Sequence, residues 1–138
     1  MLTGPQQDTL AFRVEPLPAM AAGRPVPITL TLTNRAPRPI IVAMQGRPPA
    51  FDITVVRRDG QMVWRRLAGQ VVPAILAVRT LAPAETLTFT ATWNGQEADG
   101  SAAAPGRYIV TGSLPSDPPE VLTTPPESLE LLAETPAR

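Results

Sequence analysis

An all-β sandwich of antiparallel strands is the fold class this sequence predicts, on three observations. Side chains alternate between apolar and polar with period two, the mark of strands with one face in a core and one in water. Proline occupies 18 of 138 positions, more than twice its usual share. It interrupts nearly every window of helical length, where each proline would cost about 3 kcal/mol. Finally, Pro, Gly and Asn signals separate the strand candidates at spacings of about 8–12 residues, as in sandwiches and barrels. Nothing repeats at a fixed period, which argues against propellers and solenoids.

Taken in order, residues 9–15 form the first candidate strand. In residues 26–34, Ile28, Leu30 and Leu32 fall on one face and Thr29, Thr31 and Thr33 on the other. Threonine is β-branched and tolerates solvent, so this strand has one wet face. Residues 38–44 follow; Ile40 to Met44 is apolar without strict alternation, which predicts a central, more buried strand. Residues 51–58 and 62–66 flank Asp59-Gly60, the signal of a two-residue type I′ hairpin turn. That turn would set Arg58 against Gln61, Val56 against Val63 and Val55 against Trp64. Phe51, Ile53, Val55, Met62 and Trp64 would then share one core-facing side, which a one-residue slip would scatter. Residues 75–81 form the next candidate. In residues 85–94, Leu87, Phe89, Ala91 and Trp93 alternate with Thr86, Thr88, Thr90 and Thr92. Residues 107–114 and 128–133 complete about nine short strands, and residues 113–127, with five prolines, read as a long loop. A single domain over 1–138 is expected, with its core in 26–133 and frayed ends at 1–7 and 135–138.

Composition closes most enzyme classes. The chain has no Cys and no His, and all twelve basic residues are Arg. Thiol nucleophiles, imidazole bases, thiolate or imidazole metal sites and lysine Schiff bases are excluded. No catalytic residues, no metal and no cofactor are expected. Twelve acidic residues bring the net charge to zero, which argues against a nucleic-acid partner. No stretch approaches the ~20 apolar residues of a membrane span. No leader pattern marks residues 1–10, and the cysteine-free chain fits a reducing, cytoplasmic compartment.

The remaining polar motifs read first as structure. Asp52, Asp59 and Glu85 stand at strand starts and a turn, with no spacing that forces a carboxylate pair. The oxygen-rich run from Asn94 to Ser101 reads as a hairpin loop before it reads as a calcium site. Arg57, Arg58, Arg65 and Arg66 could hold an anion, but a charged edge hairpin is the simpler reading. Trp64 and Trp93 read as core packing, and Tyr108, after Pro105-Gly106-Arg107, as a tyrosine whose hydroxyl pins a sandwich corner.

Residues 28–114 resemble the BsuPI family of intracellular proteinase inhibitors. The matching pieces are the strand ending in Asn34, the apolar strand to Met44, Phe51-Asp52-Ile53-Thr54-Val55, Asp59-Gly60 and Val63-Trp64-Arg65. Leu81-Ala82-Pro83-Ala84-Glu85 is similar to the family's Leu-x-Pro-Gly-Glu, with Ala84 replacing Gly. Trp93 and Gly106-x-Tyr108-x-Val110-x-Gly112 complete the set. The resemblance implies an immunoglobulin-like antiparallel β-sandwich of about eight or nine strands, cytoplasmic residence and inhibition of a subtilisin-like serine proteinase. The chain departs from the family pattern after Trp64, where Arg65 to Pro73 stands. An interaction module that pairs through an edge strand with a non-protease partner remains the alternative.

A protease cleft accepts an extended segment. The apolar, charge-free run after Arg66 offers Leu67, Gln70, Val71, Val72 and Pro73 as partner-binding residues, with Leu67, Val71 and Val72 exposed. Packing of Val71 and Val72 over the end of the sandwich is the simpler reading of the same run. Residues 44–50 are the next candidate, although Met44 is expected to be buried.

Overall fold

The computed structural model describes residues 10–45, 50–68, 76–97, 99–115 and 121–133. Eleven strands are present and no helix occurs among the described residues. They are β1 (Leu10–Val14), β2 (Met20–Ala21), β3 (Val26–Asn34), β4 (Ile40–Gln45), β5 (Asp52–Arg57) and β6 (Met62–Arg65). Then come β7 (Leu76–Leu81), β8 (Thr86–Trp93), β9 (Gly106–Pro115), β10 (Val121–Thr123) and β11 (Glu127–Leu132). All nine expected strands occur close to their expected bounds. β2 and β10 were not expected; β10 lies inside the stretch read as a loop. A three-residue strand fenced by prolines is too short for periodicity to reveal.

One sheet has the order β1-β3-β8 and the second the order β2-β11-β9-β5-β6, with β10 added on β9. β4 and β7 form a separate two-stranded ribbon. Every pairing is antiparallel except β11 with β2. The two large sheets face each other: Phe51 of β5's leading end meets Phe89 of β8, with ring centroids 5.3 Å apart. Val26, Ile28, Leu30 and Leu32 of β3 are fully buried between the layers, with Ile53 and Val55 of β5, Val110 and Leu114 of β9, and Leu129 of β11. On the outer side of β3 the threonines pair across to β8, Thr33 to Thr86 at 2.8 Å and Thr29 to Thr90 at 3.4 Å. Such cross-strand pairs add about 0.2–1 kcal/mol each.

Two expectations are corrected. β4 is not a central strand. It alternates, burying Ile40, Val42 and Met44 while leaving Ile41 62% exposed, because it pairs only with β7. The β5–β6 turn is not a two-residue turn. Arg57 N–H donates to the Gln61 carbonyl at 2.8 Å and Gly60 N–H to the Arg57 carbonyl at 2.9 Å, so three residues form the loop. Gly60 takes φ +93°, the left-handed conformation that closes such a loop. The extra loop residue is absorbed by a bulge: Val56 faces Met62, Val55 faces Trp64, and Val63 lies between them. The register at Trp64 is therefore the expected one, but Val63 is buried and Met62 exposed, the reverse of the expectation.

Candidate functional site

The chain leaves β6 through a stem built on Asp52. Asp52 opens β5 and is 5% exposed. Its Oδ1 accepts the Ile53 N–H at 2.9 Å and the Leu67 N–H at 3.0 Å; its Oδ2 accepts the Arg65 Nε–H at 2.7 Å. A buried carboxylate with three donors, one of them cationic, is well compensated for its lost water. Arg66 adds a second tie. Its N–H donates to the Ile53 carbonyl at 2.9 Å, and its guanidinium donates to the Phe51 carbonyl at 2.6 Å while lying 3.8 Å from the Phe51 ring centre. Phe51 in turn packs on Phe89, so the stem is fastened to both sheets. Ala68 N–H donates to the Arg65 carbonyl at 3.1 Å, closing a turn directly above the carboxylate.

Leu67, expected to be exposed, is 8% exposed. The turn over Asp52 draws it inward, so it belongs to the stem. Gln70, Val71, Val72 and Pro73 lie outside the described residues. Met44 is buried, as expected. Described residues that flank the two candidate segments are paired in a way the sequence does not announce. Gln45 and Leu76 are paired at one end of the β4–β7 ladder. Asp52 holds Leu67 on the other side.

Asp52 was set aside as a strand-start carboxylate. One signal could have found its role: the expected pairing of Val55 with Trp64, carried three residues further, sets Asp52 opposite Leu67.

The four arginines do not form one anion site. Arg57 pairs with Glu97, Arg65 with Asp52, Arg66 holds Phe51, and Arg58 is exposed. The oxygen-rich loop is consumed in the same fashion. Glu97 is held by Arg57, and Asp99 Oδ1 accepts the Ser101 hydroxyl at 2.6 Å and its N–H at 2.9 Å. The Ser101 hydroxyl, then its N–H, keeps the Asp99 carboxyl below its ordinary pKa. Among the described residues, no cluster of three metal-ligating side chains occurs. Glu85 accepts the Ala82 N–H at 2.8 Å and pairs with Arg79 at 2.9 Å. The Ala82 hydrogen bond, then Arg79, lowers its pKa. Trp93 lies between Trp64, stacked at a centroid distance of 6.4 Å, and Tyr108, met edge-on at 6.0 Å, so the aromatics pack rather than form an open platform.

These features define an all-β, immunoglobulin-like sandwich with a hydrogen-bonded stem built on Asp52. The model of the BsuPI family, described as intracellular proteinase inhibitor, matches residues 17–118. The chain belongs to that family. No curated protein matches it. Among solved structures, it is similar to an alkylpurine DNA glycosylase of Pseudomonas fluorescens bound to abasic-site DNA, at 15% identity and TM-score 0.48, covering 91% of this chain and 31% of that one. The chain thus spans about a third of that enzyme's length. It is also similar to the CARDB domain of a Pyrococcus furiosus protein in complex with di-metal ions, at 11% identity and TM-score 0.43, covering 87% and 86% of the two chains. A human ASH/PapD-like domain aligns at 11% identity and TM-score 0.40, covering 97% and 92%.

Proposed function

We propose that this chain is a cytoplasmic, non-enzymatic inhibitor of a subtilisin-like serine proteinase, and that it presents Gln70, Val71, Val72 and Pro73 to the proteinase cleft. The family match over residues 17–118 carries the reading. The stem supports it. An inhibitor must hold an extended segment in one conformation, and the entropy cost of binding falls when the segment's root is already fixed. A chain without His, Cys or Lys lacks the commonest nucleophiles and bases, which supports a binding role over a catalytic one.

Titration of a subtilisin-like serine proteinase with the protein is the test. Activity is expected to fall to zero at a fixed stoichiometry. Val71→Asp and Val72→Asp are expected to keep the wild-type melting temperature and to weaken inhibition by about tenfold or more, the effect of a lost apolar contact plus a desolvated charge. Early melting of those variants would assign the segment to packing. Full proteinase activity in excess wild-type protein would overturn the reading and leave the non-protease interaction module.

A further inference from the structure

We infer that the outer edge of β8 is a docking surface for a second copy of this chain, joined antiparallel so that two β1-β3-β8 sheets become one. Among the described residues, β8 ends its sheet and pairs only with β3. The β3–β8 register runs unbroken from Val26 opposite Trp93 to Thr33 opposite Thr86. Asn34 N–H donates to the Glu85 carbonyl at 3.0 Å, and the Thr29 carbonyl accepts the Glu15 N–H at 2.8 Å on the β1 side. Bonded and unbonded residues alternate along an antiparallel ladder. Leu87, Phe89, Ala91 and Trp93 therefore turn their backbone groups to β3, and Thr86, Thr88, Thr90 and Thr92 turn theirs to the outer edge. Pro27, which has no N–H, stands opposite Thr92, where the ladder to β8 needs none.

Sheets guard such edges with brevity, charge, proline or a bulge. β2 has two residues and β10 three. β1 carries exposed Arg13, β7 carries exposed Arg79, and β6 pairs through a bulge and ends in exposed Arg65. β4 is uncharged but has six residues. β8 has eight, TLTFTATW, with no charge, no proline and no break in register. Its own alternation sets its register with a second copy. A two-fold axis at Phe89 places Thr88 opposite Thr90 of the second copy and Thr86 opposite Thr92. Each such pair exchanges two hydrogen bonds, so no edge-facing N–H or C=O is left over on either strand. Phe89 meets its own counterpart at the axis, a favourable aromatic cross-strand pair, and Leu87 meets Ala91. These three side chains are only partly buried in the single chain, so the joint also covers apolar surface. A one-residue slip would oppose threonines to apolar side chains, and a slip by two would leave a threonine beyond the end of the second strand. Glu85, the nearest charge along the chain, is paired with Arg79 and falls at opposite ends of the joint. Both copies use the same edge, so the assembly closes at two. None of this depends on the proteinase reading.

Sedimentation equilibrium of the full chain from about 1 μM to about 1 mM is expected to show a reversible monomer–dimer equilibrium. Amide hydrogen exchange, read residue by residue, is expected to be fast at Thr86, Thr88, Thr90 and Thr92 when dilute and slowed when concentrated. Leu87, Phe89 and Ala91 are expected to stay slow throughout. Thr88→Lys with Thr90→Lys sets like charges directly across the joint and is expected to raise the dimer Kd about tenfold or more. Both side chains are exposed, so the fold is expected to stand. Thr88→Glu with Thr90→Glu is expected to weaken the dimer equally, and an equimolar mixture of the two double variants to recover it as a mixed pair. A chain that stays monomeric at every concentration overturns the proposal. So does edge protection that is the same dilute and concentrated, the result if β8 is covered by its own chain. A dimer that folded double variants leave at wild-type strength overturns it too, as does a mixture of folded variants that recovers no dimer. If a double variant fails to fold, the exchange pattern of the wild type decides.

Discussion

Tyr108 is the only tyrosine in the chain and is almost fully buried, with its hydroxyl donating to the Ala104 carbonyl at 2.6 Å. Burial holds its pKa above the ordinary value of 10.0; the nearby Arg57 cation opposes this shift and Glu97 adds to it. The folded state therefore binds the phenolic proton more tightly than the unfolded state does. The stability this confers is whole below the ordinary value and is lost as pH climbs through the folded one. Tyrosinate absorbance in the near ultraviolet reports this single residue. Its midpoint is expected above that of free tyrosine, with stability falling over the same alkaline window. Tyr108→Phe should cost about 0.5–1.5 kcal/mol at neutral pH and flatten that alkaline loss. A midpoint at or below the ordinary value would contradict the buried corner. Tyr108 was legible because its signal is local: a Pro-Gly before the strand, and an acceptor four residues away. Asn34 was not. It is fully buried, with its amide donating to the Arg38 and Leu81 carbonyls at 2.9 Å and its Oδ1 accepting the Ala36 N–H at 2.8 Å. Leu81 lies 47 residues downstream, so only the fold discloses that this side chain ties the β3–β4 turn to the end of β7. Asp52 differs: its partners lie only 13 and 15 residues on, within reach of the hairpin register at Val55 and Trp64.

Strands were read well because a half-buried strand writes its two faces into alternate residues, as in β3 and β8. Turns were read less well, because Asp-Gly serves both two- and three-residue loops and one backbone hydrogen bond decides between them. The β7–β8 turn shows how a turn constrains its sequence. Glu85 N–H donates to the Ala82 carbonyl at 2.9 Å, Pro83 stands second, and Ala84 stands third at φ +69°. This is a type II turn, whose third position favours glycine. Ala84 is the only non-glycine residue with positive φ among those described. An L-residue pays roughly 1–2 kcal/mol there, whereas glycine costs roughly 0.4–1 kcal/mol through a freer unfolded chain. The first effect is larger. Ala84→Gly, the residue found in the family pattern this turn resembles, is expected to stabilise the protein by about 0.5–1 kcal/mol. Urea denaturation checks the sign, and a lowered midpoint at unchanged slope would refute it.

At the scale of the whole molecule, the two layers meet where Gly112 of β9 lies against Leu30 of β3. The sequence offered Gly112 only as a piece of a family pattern. Its spatial role depends on a partner 82 positions upstream, so alternation along β9 could not reveal it. A Cβ at Gly112 would lie 2.6 Å from both Leu30 Cδ atoms and 3.2 Å from Cγ. Leu30 is fully buried and has little room to turn aside. β9 cannot retreat either: Gly112 donates to the Thr124 hydroxyl at 2.9 Å and its carbonyl accepts the Thr124 N–H at 2.9 Å. The positive-φ residues do not include Gly112, so an alanine there meets no left-handed backbone strain and would gain about 0.4–1 kcal/mol from a stiffer unfolded chain. Overpacking of a closed core costs about 1–3 kcal/mol and decides the sign. Gly112→Ala is therefore expected to be destabilising. Leu30→Ala alone should cost about 2–5 kcal/mol by leaving a cavity. In the double variant the added methyl occupies part of that cavity. The combined loss should fall short of the sum by about 1 kcal/mol or more. Urea denaturation of the four proteins at one pH measures this coupling. Strict additivity would show that the layers adjust independently, and that Gly112 is not the point of contact that sets their spacing.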